Sequence, residues 1–124
     1  PLARARDVGA QELAATRWIL RERGSGTRSV FEAALAARGI APGILTVDLE
    51  LPSNESVRAA VELGGHATVI SERAAAPHIA AGTLARAAFA MTPRAFSMIW
   101  HKERYRSRAA RALDQLLPDG RETA

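Results

Sequence analysis

Twice within its first half, the sequence passes from a short apolar run through a turn into a helical pattern. Trp18-Ile19-Leu20 is typical of a buried strand, and Gly24-Ser25-Gly26 indicates the turn after it. An apolar stripe then predicts a helix over 25–38, which Gly39 ends in a left-handed conformation; the stripe consists of Val30, Phe31, Ala34 and Leu35. Residues 44–51 alternate as in a half-buried strand. The residues expected on its apolar side are Leu45, Val47, Leu49 and Leu51.

The second half continues this order. Ser53 and Asn54 are good helix N-caps after Pro52, and Gly64-Gly65 ends the helix that they begin. Further strands are predicted over Ala67–Ile70, Leu84–Phe89 and Phe96–His101. Further helices are predicted over 71–81, with Pro77 inside and Gly82 as cap, and over 107–117. Since strands joined by helices pair in parallel with right-handed crossovers, the predicted fold class is α/β, a mostly parallel sheet flanked by helices.

Length and composition indicate one small domain. The 124 residues include no cysteine, which excludes a disulfide and fits the cytoplasm. Hydrophobic residues make up 48% and charged residues 24%, which is too apolar for a disordered chain. No apolar run approaches about 18 residues, so we expect no membrane span, and the opening PLARARDVGA lacks the apolar core of a signal peptide. The three histidines lack metal-ligand spacing, and we expect neither metal nor cofactor.

The net charge of +4 does not by itself indicate nucleic-acid binding. Sixteen of the 17 basic residues are arginine, and Lys102 is the lysine. The arginines are scattered from Arg4 to Arg121, in the Arg- and Ala-rich style of a GC-rich genome. A DNA-binding face gathers its cations on one surface beside a reading helix. We therefore expect this chain to have a solvated basic surface and no DNA-reading element of its own.

The two strand-to-helix turns carry the sharpest functional signal. The first backbone N–H groups of a helix are unpaired and lie at the positive end of its dipole, so they attract anions. Ser25 and Thr27 add hydroxyl groups at the first turn, and Ser53-Asn54 begin the second helix in the same way. Two such ends at the carboxyl edge of one sheet would form a small anion-binding shelf. The same residue types also serve as plain helix caps, and the local pattern leaves both interpretations open.

Known catalytic motifs are absent from the sequence. The Gly24–Thr27 turn has neither the Gly-Lys-Ser/Thr of a phosphate loop nor the glycine spacing of a dinucleotide site. Gly24-Ser25-Gly26 lacks the further positions of a nucleophile elbow. His66, His78 and His101 show no pattern that pairs one of them with Ser25. We therefore expect a binding protein and no enzyme.

Taken together, the motifs resemble the effector domain of LysR-type transcriptional regulators. Residues 18–28, followed by Phe31-Glu32, resemble the family's WILREPGSGTR…FE segment. Residues 50–55 are similar to ELGSNEAI, 61–71 to VAAGLGIAFLS and 80–84 to LAAGRL. The opening Pro1-Leu2-Ala3 is similar to HPLA, and residues 96–102 and 107–112 to FSLVWHKDRYLSPAARAFLDFL. The likeness covers essentially the whole chain, in order.

This resemblance implies the second lobe of a domain like that of the type II periplasmic binding proteins. Residues 1–15 would be the crossover into the lobe, 16–102 the effector-binding subdomain, and 103–124 the C-terminal helix and a loose tail. The first lobe and the winged helix-turn-helix would lie outside the chain. A small inducer, often an anion, would bind between the lobes and act on DNA through that other domain. We also expect a homo-oligomer, because the apolar surface that would pack on the other lobe is left exposed and such patches recruit partners.

The resemblance also implies which residues contact the effector. One wall of the cleft would be formed by Ser25, Gly26, Thr27 and Arg28, with Ser53, Asn54 and Glu55 near them. His66 stands where the family has a small residue, and facing the cleft it would favour a carboxylate. Arg23 replaces the family's proline, which would loosen the turn.

Two alternatives share the architecture. One is a lobe of a solute-binding protein for an uptake system, since fold does not fix function. The weaker one is an enzyme that grips phosphate with Gly24–Thr27, which would need a titratable residue beside that turn.

Overall fold

The computed structural model describes residues 2–93, 99, 101 and 105–116, which fall into two compact units divided after residue 94. The first unit contains helix α1 (Ala10–Ala14), strand β1 (Arg17–Arg21), helix α2 (Gly26–Ala36), strand β2 (Thr46–Leu51), helix α3 (Asn54–Glu62) and helix α4 (Glu72–Ala80). The second contains helix α5 (Arg108–Leu116). Short 3-10 turns lie at Leu2–Arg4 and Pro42–Ile44.

The strands pair in parallel. β1 and β2 run from the Arg17–Thr46 pair to the Arg21–Leu51 pair. On the other side of β1, Ala67 forms a parallel bridge with Trp18. Its carbonyl accepts from the backbone N–H of Ile19 at 3.0 Å, and its own N–H donates to Arg17 O at 2.9 Å. The α/β class with a parallel sheet is therefore confirmed.

Alternate residues of β1 bury side chains on both faces of the sheet. Trp18 and Leu20 share one face and join a cluster completed by Val8, Leu13, Phe31 and Leu35. Ile19, also buried, lies on the opposite face. α3 packs against β1 and buries Val57 completely. Helices thus cover both faces, as expected for strands joined by helical crossovers.

The aromatic residues connect the sheet to a loop that crosses α2. The ring of Phe31 lies 5.2 Å from Trp18 and meets Phe89 edge-on at 5.8 Å. The Arg38 guanidinium lies over Phe89, 4.3 Å from the ring centroid, a cation–π distance. The indole N–H of Trp18 donates to Leu13 O at 3.0 Å, so burial leaves this polar atom satisfied.

Several predicted elements are confirmed, with changed ends. The two strands at 18–20 and 44–51 and the helices over 25–38, 71–81 and 107–117 correspond to β1, β2, α2, α4 and α5. Gly39, Gly64, Gly65 and Gly82 all have positive φ, as helix-ending glycines should. Pro77 lies inside α4.

Other predictions were wrong. Among the described residues, Leu84–Phe89 forms no strand, because Ala87 and Phe89 contact the core from an irregular segment. Ala67–Ile70 pairs only at Ala67. Helix α1 was not predicted. The expected strand Phe96–His101 and the end of the last helix fall largely outside the described residues.

The alternation expected in β2 is interrupted by a bulge. Trp18 pairs with Val47 and Ile19 with Leu49, which leaves Asp48 as an extra residue. Leu49, expected on the buried side, is 50% exposed. The insertion breaks the strict two-residue period on which that expectation depended.

Candidate functional site

Three helices begin at the same edge of the sheet. β1, β2 and the segment that starts at Ala67 run in one direction, so their carboxyl ends meet. Along the chain, each of these segments leads to the N-cap of a helix: Ser25 for α2, Ser53 for α3 and Ser71 for α4. Pairing continues past the strand ends, since Glu22 N–H donates to the carbonyl of Leu51 at 3.2 Å. The edge therefore carries the positive ends of three helix dipoles.

The start of α2 lacks a capping side chain. Ser25 has the extended backbone of an N-cap (φ −61°, ψ 128°), yet its hydroxyl makes no capping hydrogen bond within the described part of the chain. The first hydrogen bond of the helix runs from Ser29 N–H to Ser25 O at 2.9 Å. The N–H groups of Gly26, Thr27 and Arg28 precede it and have no partner within the helix.

Ser25 is buried and yet polar. It is only 7% exposed. Of the side-chain polar atoms in the described residues, Thr68 Oγ1 is the one that is both inaccessible and without a partner. The Ser25 hydroxyl, which also makes no hydrogen bond among them, therefore keeps contact with solvent. Gly24, with φ 90°, turns the chain sharply just before it, in a conformation that favours glycine.

The start of α3 is organised differently. Ser53 accepts a hydrogen bond from Ser56 N–H at 3.0 Å, which is a true N-cap. Asn54 Oδ1 accepts from Nη1 of Arg21 at 2.7 Å. Glu55 follows, exposed, in the first turn. The contact between Arg21 and Asn54 shows that the two loops lie side by side, as the sequence predicts.

Arg21 is the residue of this edge that sequence reasoning missed. It ends β1, and its side chain is only 17% exposed. Its Nε donates to Glu22 Oε2 at 2.8 Å and its Nη2 to Glu22 Oε1 at 3.0 Å, a two-point pair. This contact holds the pKa of the Glu22 carboxyl below its usual value and raises the pKa of Arg21, against the opposing effect of burial. The sequence signal that could have identified Arg21 is its position directly after the apolar run Trp18-Ile19-Leu20, at the end of the strand that leads to the glycine turn.

Arg28 is bound by the protein itself. The buried guanidinium forms ion pairs with Glu50 at 2.7 Å and Glu32 at 2.8 Å. It also donates to the carbonyl oxygen of Arg21 at 3.0 Å. Burial alone would lower the pKa of Arg28, but hydrogen bonds to Glu50 and Glu32 outweigh it and raise this pKa. The side chain thus ties α2 to both strands.

His66 lies at the other end of the sheet. It precedes Ala67, which pairs with Trp18, and Arg21 is about 10 Å further along β1 at roughly 3.3 Å per residue. Its Nε2 is 2.8 Å from Asp48 Oδ2, and Nδ1 is 3.2 Å from Gly64 O. The structure therefore brings together the residues of the two loops and leaves His66 apart from them.

The described residues contain no group of three or more His, Cys, Asp or Glu side chains placed to hold a metal ion. Within the same residues no helix combines the length and apolar character that a bilayer span requires. The chemistry offered at this edge is thus hydrogen-bond donation by backbone N–H groups, hydroxyls and one guanidinium.

The comparison with known families decides what kind of domain this is. The family of the LysR substrate binding domain matches residues 1–121. The chain belongs to this family. The resemblance found in the sequence is confirmed, and with it the type II periplasmic-binding-like fold.

Three relatives of this LysR-family chain are transcriptional regulators. It is 36% identical over 114 residues to the uncharacterized HTH-type transcriptional regulator YeiE of Escherichia coli strain K12, covering 90% of this chain and 37% of YeiE. It is 31% identical over 117 residues to the probable RuBisCO transcriptional regulator of Cyanophora paradoxa, covering 93% and 36%. It is 36% identical over 85 residues to the RuBisCO operon transcriptional regulator of Acidithiobacillus ferrooxidans, covering 68% and 26%. The chain spans about a third or less of these relatives.

The ion pairs of this LysR-family chain predict acid sensitivity. A hydrogen bond from Arg17, and to a lesser extent one from His66, lowers the pKa of the Asp48 carboxyl. The pKa of the Glu62 carboxyl is lowered by Thr83, Arg58 and His78. A carboxyl with a lowered pKa in the folded state stabilises the fold above its unfolded pKa and loses this contribution as the pH falls through the folded one. We expect the urea midpoint to drop between about pH 5 and about pH 3.

The variant Asp48→Asn should show a smaller drop over that interval, because its side chain no longer titrates. The matched control is Asp7→Asn, at an exposed position, which should keep the drop of the original chain. Equal acid sensitivity of the Asp48→Asn variant and the original chain would contradict the role of this ion pair.

Proposed function

We propose that this chain is the effector-sensing lobe of a LysR-type transcriptional regulator and binds a small anion at the N-terminus of α2. The family supports the regulator over a lobe of an uptake system. The observation that carries the anion site is the contrast between two serines. Ser53 caps its helix, whereas the buried Ser25 leaves the N-terminus of α2 without a side-chain cap.

That contrast identifies the protein groups that would bind the anion. Backbone N–H groups of Gly26, Thr27 and Arg28, with the hydroxyls of Ser25 and Thr27, are the donors offered to the anion. The side chain of Arg28 does not bind the ligand in this proposal, because its guanidinium is already paired with two carboxylates.

The neighbouring loop forms the rim of the proposed site. Ser53 and Asn54 are engaged within the chain, so they shape this wall more than they grip the ligand. The exposed carboxylate of Glu55 disfavours a second negative charge on that side. His66 is left out, because it lies at the opposite end of the strands.

The proposed output is a shift between conformations. An effector that contacts both lobes binds the closed arrangement more tightly, and its differential affinity sets how far the equilibrium moves. This lobe supplies one wall. The other lobe, and a winged helix-turn-helix that binds DNA, belong to the rest of a cytoplasmic homo-oligomer, with no cofactor required.

The proposal is tested with sulfate as a probe. We expect sodium sulfate, compared with sodium chloride at equal ionic strength, to shift the backbone N–H signals of Gly26, Thr27 and Arg28 in ¹H–¹⁵N spectra of the 124-residue chain. Gly26→Pro should weaken binding about fivefold or more, because it removes one donor of a charge-assisted hydrogen bond. Proline suits the first helical position, and Ser25 already has the extended backbone that must precede it.

The control for Gly26→Pro is Gly43→Pro, which places proline in an exposed 3-10 turn away from the edge. It should leave the sulfate affinity unchanged. Sulfate-induced shifts that spread over the basic surface without preference for the start of α2 would overturn the proposed site. A second test compares this chain with the two-lobed domain, which should bind the same anion more tightly.

A further inference from the structure

The guanidinium of Arg21 lies between the first two helix starts and is held there by groups that a ligand need not disturb. Nη1 donates to Asn54 Oδ1 at the start of α3. The backbone of the same residue is held by Arg28, whose Nη1 donates to Arg21 O. Nε and Nη2 form the outer edge of the guanidinium, and among the described residues they hydrogen-bond to the carboxylate of Glu22. The Glu55 carboxylate acts on Arg21 through its charge and raises the pKa of Arg21 as Glu22 does.

That outer edge is shaped for a planar carboxylate. Its two N–H groups meet the two oxygens of Glu22 at 2.8 and 3.0 Å, the parallel two-point geometry of arginine–carboxylate recognition. A ligand carboxylate in the same place would make the same two bonds. Because one carboxylate would replace another, the negative charge in contact with Arg21 would stay the same. The guanidinium would therefore remain paired throughout the exchange.

Glu22 is the weakly held partner of the pair. Its side chain is 44% exposed, against 17% for Arg21. Exposed ion pairs contribute little to stability because water replaces each partner readily. The backbone of Glu22 has its own attachments, to Leu51 O and from Ser25 N–H, so the carboxylate can rotate into solvent while the turn stays in place.

We infer that Arg21 binds a carboxylate of the effector, and that Glu22 is a built-in competitor which occupies the guanidinium until the effector displaces it. The inference rests on the proposed function and gives the ligand a chemical class. The second polar group pointing to a ligand at this edge is the hydroxyl of Ser25, a residue only 7% exposed whose side chain makes no capping hydrogen bond among the described residues. Glu22 would then set the concentration at which the effector binds.

The test uses propionate, which has the same carboxylate as the glutamate side chain, with the 124-residue chain. We expect Glu22→Gln to bind propionate about tenfold more tightly than the original chain, because the charge-assisted competitor is gone. The Nε–Hε signal of Arg21 should shift on titration. Propionamide, which has the same size without the charge, should leave that signal in place.

The matched control is Glu72→Gln. It removes the same charge from a second glutamate–arginine pair, the exposed pair of Glu72 with Arg86, so the net charge of the two variants is equal. Its propionate affinity should stay within about twofold of that of the original chain. A gain of the same size in both variants would overturn the exchange and attribute the effect to net charge.

The outcomes separate this inference from the proposed function. Sulfate shifts at Gly26 to Arg28 without tighter propionate binding in Glu22→Gln would overturn the exchange and leave the anion site standing. Propionate shifts at Arg21 in Glu22→Gln without any sulfate effect on α2 would support the exchange and remove the proposed α2 site. Arg21→Gln should lose propionate binding, followed in this variant by the backbone N–H signals of Glu22 and Asn54, and its urea midpoint shows whether it has folded.

Discussion

Leu35→Ala is expected to destabilise the chain by about 2–5 kcal/mol. Leu35 lies in α2 with no exposed surface and belongs to the cluster that contains Trp18 and Phe31. Truncation removes apolar contacts and leaves a cavity that the neighbours fill only in part, which is the source of this range. Urea unfolding followed by tryptophan fluorescence measures the loss.

The same substitution at Leu63 is the control. Leu63 follows α3 and is 89% exposed, so Leu63→Ala should change the free energy of unfolding by no more than about 0.5 kcal/mol. The two variants remove the same atoms and differ only in burial. Equal losses at both positions would mean that the cluster around Leu35 is not the core of the folded chain.

Arg28→Ala is expected to cost about 1–3 kcal/mol, below the roughly 3–5 kcal/mol for breaking a fully buried ion pair. The substitution leaves Glu50, Glu32 and the carbonyl of Arg21 without their hydrogen-bond donor. It also removes the contacts that hold the start of α2 against β1 and β2. The cost is discounted because both carboxylates stay 40% exposed and water can solvate them.

The control is Arg23→Ala, which removes an exposed arginine from the turn before α2. It should lie within about 0.5 kcal/mol of the original chain. Arg28→Lys keeps the charge and should recover only part of the loss, because one ammonium group cannot reproduce the fork that reaches three oxygens. Full recovery by lysine would indicate that charge alone, and not the geometry of the guanidinium, matters here.

Local pattern was enough for the elements whose signals are complete within a few residues. β1 and β2, the helices α2 and α3 that follow them and the glycines that end those helices were all predictable, because periodicity and capping act over short distances. Leu84–Phe89 was wrongly assigned as a strand. A short apolar run does not reveal whether a neighbouring strand edge is free to pair with it, and here Phe89 packs on Phe31 instead.

The same limit applied to the helix surface. The apolar stripe expected in α2 consisted of Val30, Phe31, Ala34 and Leu35, whereas the structure buries Phe31 and Leu35 together with Arg28. A buried arginine needs counter-charges that pair with it, and a helix stripe does not show those that come from elsewhere in the chain. Glu50, far along the chain, is one of them.

By itself, then, the sequence determined the family, the parallel α/β plan and the edge at which the helices begin, because each follows from ordered local motifs. Only the tertiary structure decided how the polar groups at that edge are used. Ser25 and Ser53 occupy the same kind of position in the sequence, yet the Ser25 side chain makes no capping hydrogen bond to α2, whereas Ser53 caps α3. Arg21 and Arg28 are the same residue type, yet Arg21 pairs with Glu22 and Asn54, whereas Arg28 pairs with Glu32 and Glu50. Hydrogen bonds and ion pairs depend on which atoms the fold brings within about 3 Å, and that distance is set by packing across the sheet.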